Sequence, residues 1–516
     1  MIISQPDVTF NIQPATQTVG NNTHRALIIG QMTSAGTATS GALQEDIQND
    51  NAWNTLFGAD SHVARMITQF RRINGITPLD VIAYDDNGSG TAATGELELS
   101  GTATAAGTLL LTLGSNYDHK LEIAVAAGDT ATTVGDAIDT AVAADTTLQV
   151  SSSNSTGTVT FTAGHKGTLG NEIAIKIENL PAGLTGTITG FSGGATNPTI
   201  TGLAATIDNR RYQTIVFPGS WAISTIDTEM DTRWNVTNNI LDGMVVTCKM
   251  DTYANLASFA TTFNQQQLVV IGNPKVSATD RLVGGAIVEF SDNIAAQFAA
   301  IRALRLTDGA NISNYVIGNN GLLDVTGGPA IASLPFFNTP FPYLPLVKQG
   351  DGLTRTQIEA LQLVGVSVLG NNIARNSIIA GEIVTTYRTD SAGNTDTSFK
   401  YVEYVDTASN IREYFFNNAR AQYAQTRLTD GALIPGRNMA NADSIKAFMV
   451  GLYDDLSQAD YVLTRAGEEY LKYFKNNLNV AINLATGTVT ITMTVPIVVQ
   501  LRTILATFKV AFNTNV

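Results

Sequence analysis

The sequence predicts a multidomain chain of mixed α/β and α+β class: a parallel α/β layer with an inserted mainly β domain, a C-terminal α+β domain, and extended N- and C-terminal strand arms. Three observations lead there. Apolar strand runs alternate with amphipathic helical stretches on either side of a long interruption. The interruption itself is rich in Thr, Gly and Ala and breaks into short alternating segments. Both ends of the chain carry polar/apolar alternation, with little nearby sequence to cover a strand edge.

Each element follows from its pattern. Near the start, "DVTFNIQPATQTVG" sets Val8, Phe10 and Ile12 on one side of a short extended segment flanked by Pro6 and Pro14. This predicts an arm over residues 1–20, too brief to bury itself. "HRALIIGQ" then reads as a buried strand. Val63, Met66, Ile67, Phe70 and Ile73 recur at three- and four-residue spacing, which predicts a helix, and "LDVIAY" predicts the next strand. These open an α/β domain over 21–86 and 207–345. Residues 87–206 form the insertion, with strands at "GELELSG", "GTLLLTLG", "GTVTFTAG" and "EIAIKIEN" and one helix near "TVGDAIDTAVAAD". The α/β rhythm resumes at "YQTIVFPG" and runs through "MVVTCKM" and "QLVVIG", with helices between them. A longer helix follows, carrying Phe290, Ile294, Phe298 and Ile301 along one face. Strand–helix–strand order implies a parallel sheet covered on both faces. "SLPFFNTPFPYLPLV" is too rich in proline for a helix and reads as a linker or a wall between domains.

Residues 346–502 are expected to form the C-terminal α+β domain. Two strands, "SIIAGEIVTTYRTD" and "SFKYVEYVD", flank the turn "SAGNTD", and a helix covers "NIREYFFNNARAQYAQTRL". A second helix, behind an Asn or Asp cap, presents Ile445, Phe448, Leu452 and Leu456. From Thr488 the alternation is strict, with Val489, Ile491, Met493 and Val495 on one face of a strand. After Pro496, Phe508, Val510 and Phe512 alternate again and predict a C-terminal arm over 503–516. Strand addition uses backbone hydrogen bonds that any extended segment carries, so arms at both ends suit exchange between copies.

Composition narrows the function. At 516 residues and 54.7 kDa the chain holds roughly three to four domains of about 100 to 200 residues each. Only 14% of residues are charged, against about 25% in ordinary proteins, so much of the surface is expected in contacts. A net charge of −14 and a pI near 4.7 argue against nucleic acid as a partner. Cys248, the single cysteine, lies in the apolar run "GMVVTCKM" and is expected in a buried strand, without a disulfide. No basic leader and no window of about 18 apolar residues is present, so neither a signal peptide nor membrane insertion is expected.

Patterns that could carry chemistry read better as turns. "GFSGG" fits G-x-S-x-G, yet Ser192 is followed by "ATNPTITG", which cannot open a helix, and all four histidines precede it. "AGHKGTLGNE" has His165 where a phosphate loop needs glycine before its lysine, Lys166. The histidines and the cysteine have no zinc spacing, and "YDDNGSG" is nearer to a domain-boundary turn than to a calcium loop. No catalytic residue, metal or cofactor is expected, and an enzyme is not.

Several stretches together resemble one family, the tail sheath proteins of contractile-tailed, Mu-like bacteriophages. They are "HRALIIGQ", "GELELSGTATAAGTLLLTL" through "FTAGHKGTLGNEIAIKI", "TRWNVTNNILDGMVV", "VTTYRTDSAGNTDTSFKYVEYVDTASNIREYF" and "RLTDGALIPGRNMANADSIKAFMVGLYDDL". "TTYRTDSAGNTD" is the most specific, while "SQADYVLTR" departs from the family pattern after "GLYDDL". The resemblance implies a subunit that stacks in six-fold rings around an inner tail tube and shortens when the baseplate triggers. Its partners would be further copies, the tube protein, and baseplate and tail terminator proteins. It would assemble in the host bacterial cytoplasm and reside in the virion tail. The arms would pair with a sheet in the C-terminal domain of adjoining subunits: Val8, Phe10, Ile12, Phe508, Val510 and Phe512 would be exchanged, and Val489, Ile491, Met493 and Val495 would lie in the accepting sheet. The insertion would face outward and the C-terminal domain would lie nearer the tube. Two alternatives stand beside this: the sheath of a related, tailocin-like injection device, and an array-forming surface adhesin, which would normally carry an export signal.

Overall fold

A computed structural model describes residues 24–48, 50–114, 119–235, 239–275, 287–306, 335–347, 353–372, 377–458, 469–497 and 499, together with the backbone of 314–317 and 323–326. The chain enters through β1 (Ala26–Gln31), which is buried along its whole length. Ala26 and Ile28 face one core, Leu27 and Ile29 the opposite one, as strand alternation requires of a strand covered on both faces. After β2 (Leu43–Gln44) and α1 (Trp53–Phe57) comes α2 (His62–Ile73), then β3 (Leu79–Tyr84). Ser61 caps α2, its hydroxyl accepting from Ala64 N at 3.3 Å. Val63, Met66, Ile67 and Phe70 are buried on the face that their spacing marked.

Beyond β3 the chain departs into the insertion: β4 (Ala92–Gly101), β5 (Gly107–Gly114), β6 (His119–Val125), α3 (Ala131–Ala144), β7 (Val150–Ser155), β8 (Thr158–Lys166), β9 (Ala174–Glu178) and β10 (Leu184–Ser192). Two antiparallel sheets, ordered β10–β4–β8–β7 and β6–β5–β9, enclose a core of their own that includes Leu97, Leu111, Ile138, Val159 and Phe161. "GFSGG" ends β10 in a turn, with Gly193 at φ +80°. His165 and Lys166 close β8, and the turn starts one residue later at Gly167, φ +92°.

The return to the layer runs through α4 (Leu203–Ile207), β11 (Thr214–Val216), α5 (Ile223–Trp234), β12 (Met244–Asp251), α6 (Tyr253–Ala260), β13 (Leu268–Pro274) and α7 (Ser291–Leu306). A backbone hairpin, β14 (Asn314–Ile317) and β15 (Leu323–Thr326), precedes β16 (Pro340–Phe341), α8 (Arg355–Leu363), β17 (Val366–Asn372) and β18 (Ser377–Ala380). One nine-stranded sheet results, ordered β16–β18–β17–β13–β12–β11–β1–β3–β2. Its six central strands are parallel, and the short β2, β16 and β18 are antiparallel additions at the edges. The sheet therefore continues past position 345. α7 is buried all round, and the Pro-rich segment adds Phe336, Phe341 and Leu344 to the same core. Cys248 is buried in β12.

The remaining elements are α9 (Val402–Tyr423), β19 (Arg427–Leu428), β20 (Met439–Ala440), α10 (Ala442–Gln458), α11 (Glu469–Asn476), β21 (Asn479–Asn483) and β22 (Thr488–Thr492). Of "SIIAGEIVTTYRTD" only Ser377–Ala380 is a strand, with isolated bridges at Val384, Thr385 and Thr389 beyond it. Two further expectations need correction. "SFKYVEYVD" is not a strand: Tyr401 makes one bridge to Val384, and α9 starts at Val402. Val402 and Val405 satisfy both a three-residue helical step and a short alternating run, and the tertiary contact with the sheet core selects the helix. The turn between the expected strands is real, because the Asp390 carboxylate accepts from the backbone N–H groups of Ala392 and Asn394, with Gly393 at φ +84°. The second correction adds α11 and β21, which the alternation at Thr488 did not announce.

Candidate functional site

The residues expected in an accepting sheet come together at the end of the described chain. β21 and β22 form an antiparallel hairpin in which Val480 lies opposite Ile491, and Ile482 opposite Val489. Asn483 shapes the turn, its side-chain oxygen accepting from Ala485 N at 3.0 Å, and Gly487 supplies φ +67°. Val489 and Ile491, with Met493 and Val495 just beyond β22, pack half-buried on a core built from Ile411, Phe415, Ile445, Met449 and Leu452. Thr488, Thr490 and Thr492 face solvent. A groove of about 250 Å³ runs beside β22, bounded by Ala419 and Tyr423 of α9, Leu428 of β19 and Ile445 of α10. This sheet has two strands, so among the described residues both its outer edges lack a strand partner. Two-stranded ribbons are marginal alone. Val8, Phe10, Ile12, Phe508, Val510 and Phe512 lie outside the described residues.

α9 ties this region to the α/β layer. Its first turns bury Val402 and Val405 in the sheet core, and its later turns bury Ile411 and Phe415 in the C-terminal core. Between them sits a polar collar around Asp242, which is 1% exposed. Arg211 approaches the Asp242 carboxylate at 3.2 Å and Arg412 at 3.0 Å, and the Ser409 hydroxyl donates to it. Burial would raise this carboxyl, but the two guanidinium groups and the Ser409 bond hold it below the usual range. Arg211 also reaches Glu413 at 2.5 Å, and the Arg412 guanidinium lies 4.7 Å above the Trp234 ring.

A second polar cluster joins the insertion to the layer, at the C-terminal ends of β1, β3 and β11. His62 Nδ1 accepts from Gln31 N at 3.1 Å, and Nε2 lies 2.9 Å from Asp292. The other Asp292 oxygen accepts from Gly219 N at 3.0 Å. His165 Nε2 accepts from His62 N at 3.0 Å, and Nδ1 faces Asp86 at 3.3 Å. Glu172 receives both the N–H and the hydroxyl of Ser291. Burial pushes His62 down to about 3 and Asp292 up to about 7, and lowers His165 as well. At neutral pH His62 is thus an uncharged imidazole whose Nε2–H donates to Asp292. The neighbouring cleft holds about 30 Å³, room for about one water. Nearby, His119 of β6 contacts Asp145 at 2.8 Å and Asp60 at 3.5 Å; the two carboxylates raise it to about 9 against the opposing effect of burial. Sequence reasoning treated these histidines as scattered, because their partners lie up to 230 positions away.

No family model matches the chain. A Mu-like prophage FluMu tail sheath protein of Haemophilus influenzae is 28% identical over 452 residues, covering 85% of this chain and 84% of that protein. Among solved structures, the sheath tail protein of Listeria innocua aligns over 92% of this chain and 91% of its own, with a TM-score of 0.46 and 10% identity. The helical sheath of the anti-feeding prophage in its contracted state aligns over 98% and 99%, with a TM-score of 0.43 and 10% identity.

Proposed function

We propose that this chain, which shares most of its length with a Mu-like tail sheath protein, is the subunit of a contractile tail sheath. The observation that carries the reading beyond kinship is the β21–β22 hairpin, an apolar-backed ribbon whose two edges lack a strand partner among the described residues. Extended arms from neighbouring copies complete it: Val8, Phe10 and Ile12 from one end, Phe508, Val510 and Phe512 from the other. Backbone pairing of this kind tolerates rotation of the rigid bodies, because the hydrogen bonds travel with the strand and a few linking residues absorb the turn. Copies so linked stack as six-fold rings around the tail tube, seated on the baseplate and closed by a terminator. The assembly forms in the host cytoplasm and ends in the virion tail.

Contraction then draws on a packing difference between two arrays of the same subunits. If each subunit buries about 200 Å² more apolar surface in the shortened array, the gain is about 5 kcal/mol per copy at about 25 cal/mol per Å². The extended array is a kinetically trapped state. Removing residues 1–18 or 503–516 leaves a folded monomer that makes no tubes under negative-stain microscopy. Striated tubes from both truncated chains would falsify the arm exchange, while a full-length chain that never forms tubes counts against the sheath reading itself.

A further inference from the structure

Among the described residues the insertion presents four strand edges, and three of them are guarded. β6 carries Lys120 and Glu122 exposed along its length. β9 ends in a Lys176–Glu178 ion pair at 2.7 Å. β7 is tied to α3, where Asn154 Nδ2 donates to Asp136 at 2.7 Å and the Ser152 hydroxyl donates to Asp139. Charges and covering helices are the usual means of blocking an edge. β10 has neither. Thr185, Gly186, Thr187, Ile188 and Thr189 are all exposed, with Ile188 at 38%, and no strand pairs with their outer side among the described residues.

Charge points to what covers this edge. Residues 87–206 hold ten acidic residues against three lysines, a formal −7 and half of the chain's −14. Residues 179–206 contain no charged side chain. Two copies of this acidic domain repel each other wherever their carboxylates come close, and of the four edge strands β10 offers an approach free of charge. The strip is also complementary to itself. In an antiparallel pairing centred on Thr187, Thr185 meets Thr189 and Gly186 meets Ile188. A Cβ on Gly186 would lie 2.8 Å from the Ile177 side chain and 3.4 Å from that of Leu97, so positions 186 and 188 belong to the face turned toward the core. The half-exposed Ile188 thereby gains an apolar neighbour in Ile177 beside Gly186 of the partner subunit, and the threonines stay in water.

We propose that the outer edge of β10 pairs with β10 of a second copy of this chain, antiparallel and about a local two-fold axis. An interface of this type closes on itself and stops at a dimer. Stacked rings of one polarity contain no such axis, so the pairing joins copies that are not neighbours within a single sheath. The inference stands apart from the sheath reading, and its test needs no tubes.

Full-length chains bearing Thr187→Cys, Thr185→Cys or Thr189→Cys test it under mild oxidation, with Cys248 buried and contributing little background. Directly opposed residues lie about 4.5–5.5 Å apart between Cα atoms, inside disulfide reach; residues four positions out of register are more than about 10 Å apart along the strand. Thr187→Cys alone gives a covalent dimer. Thr185→Cys and Thr189→Cys remain monomeric alone and cross-link when mixed. In sedimentation, Thr187→Lys lowers dimerisation at least tenfold while the sedimentation coefficient of the folded monomer is unchanged. No dimer from Thr187→Cys, equal cross-linking by all three single variants, or failure of the mixture each overturns the proposal.

Discussion

His119 shows how a single side chain can fasten the insertion to the layer. It stands on β6, yet one of its carboxylate partners, Asp60, lies in the loop before α2. Its folded pKa of about 9 exceeds the ordinary 6.5, so the native state holds a proton that the unfolded chain releases. The stabilisation is complete below pH 6.5 and disappears as pH rises through 9. His119→Gln therefore lowers the urea midpoint at pH 6 and leaves it nearly unchanged at pH 9.5; equal losses at both values would show that the contact is not a matter of charge. Residues such as this were illegible in the sequence. His62, His165 and Asp292 are separated by 103 and 127 positions; the packing of α2 on α7 brings the first and last together, and the folding of the insertion back over the ends of β1 and β3 adds His165. By contrast Ser192 and Lys166 could be judged from immediate neighbours, because a nucleophile elbow and a phosphate loop both demand local backbone shapes that their flanking residues forbid.

Elements were legible in proportion to their length and the purity of their period. α2 and α3 follow from apolar spacing, since each buries one face, and the strands of the parallel layer from unbroken apolar runs covered on both sides; α7 is instead buried all round, and Phe290 lies just before it in the core of the insertion. "SFKYVEYVD" failed because nine residues cannot separate a two-residue period from a helical one when valines sit three apart. β21 was missed for a related reason: "NVAIN" turns only Val480 and Ile482 inward, and its identity depends on β22 across the turn. Helix ends were more tractable. Asn441 precedes α10 and its side-chain oxygen accepts from Ser444 N at 2.9 Å, while the Ser444 hydroxyl accepts from Asn441 N at 3.0 Å. Asn441→Ala is expected to cost about 1 kcal/mol, measured by urea unfolding, with Asn441→Asp recovering most of it. No loss in the alanine variant would mean that tertiary packing alone holds the first turn.

On the scale of the whole molecule, a nine-stranded layer, a β insertion with a separate interior and a C-terminal bundle are built along one chain. The insertion leaves after β3 and returns before β11, the two strands that flank β1, so it is rooted toward the β2 edge of the sheet. The bundle is attached differently, by α9. Since that helix is common property of two interiors, neither can melt while the other stays ordered without tearing a continuous stretch of hydrogen-bonded backbone between Val405 and Ile411. Calorimetry of the isolated chain should accordingly record the layer and the bundle as one heat-absorption peak, and Ala408→Pro, which breaks the helix between them, should divide that peak in two. A spine shared in this way makes the subunit behave as a single lever: a torque delivered to the bundle turns the sheet with it.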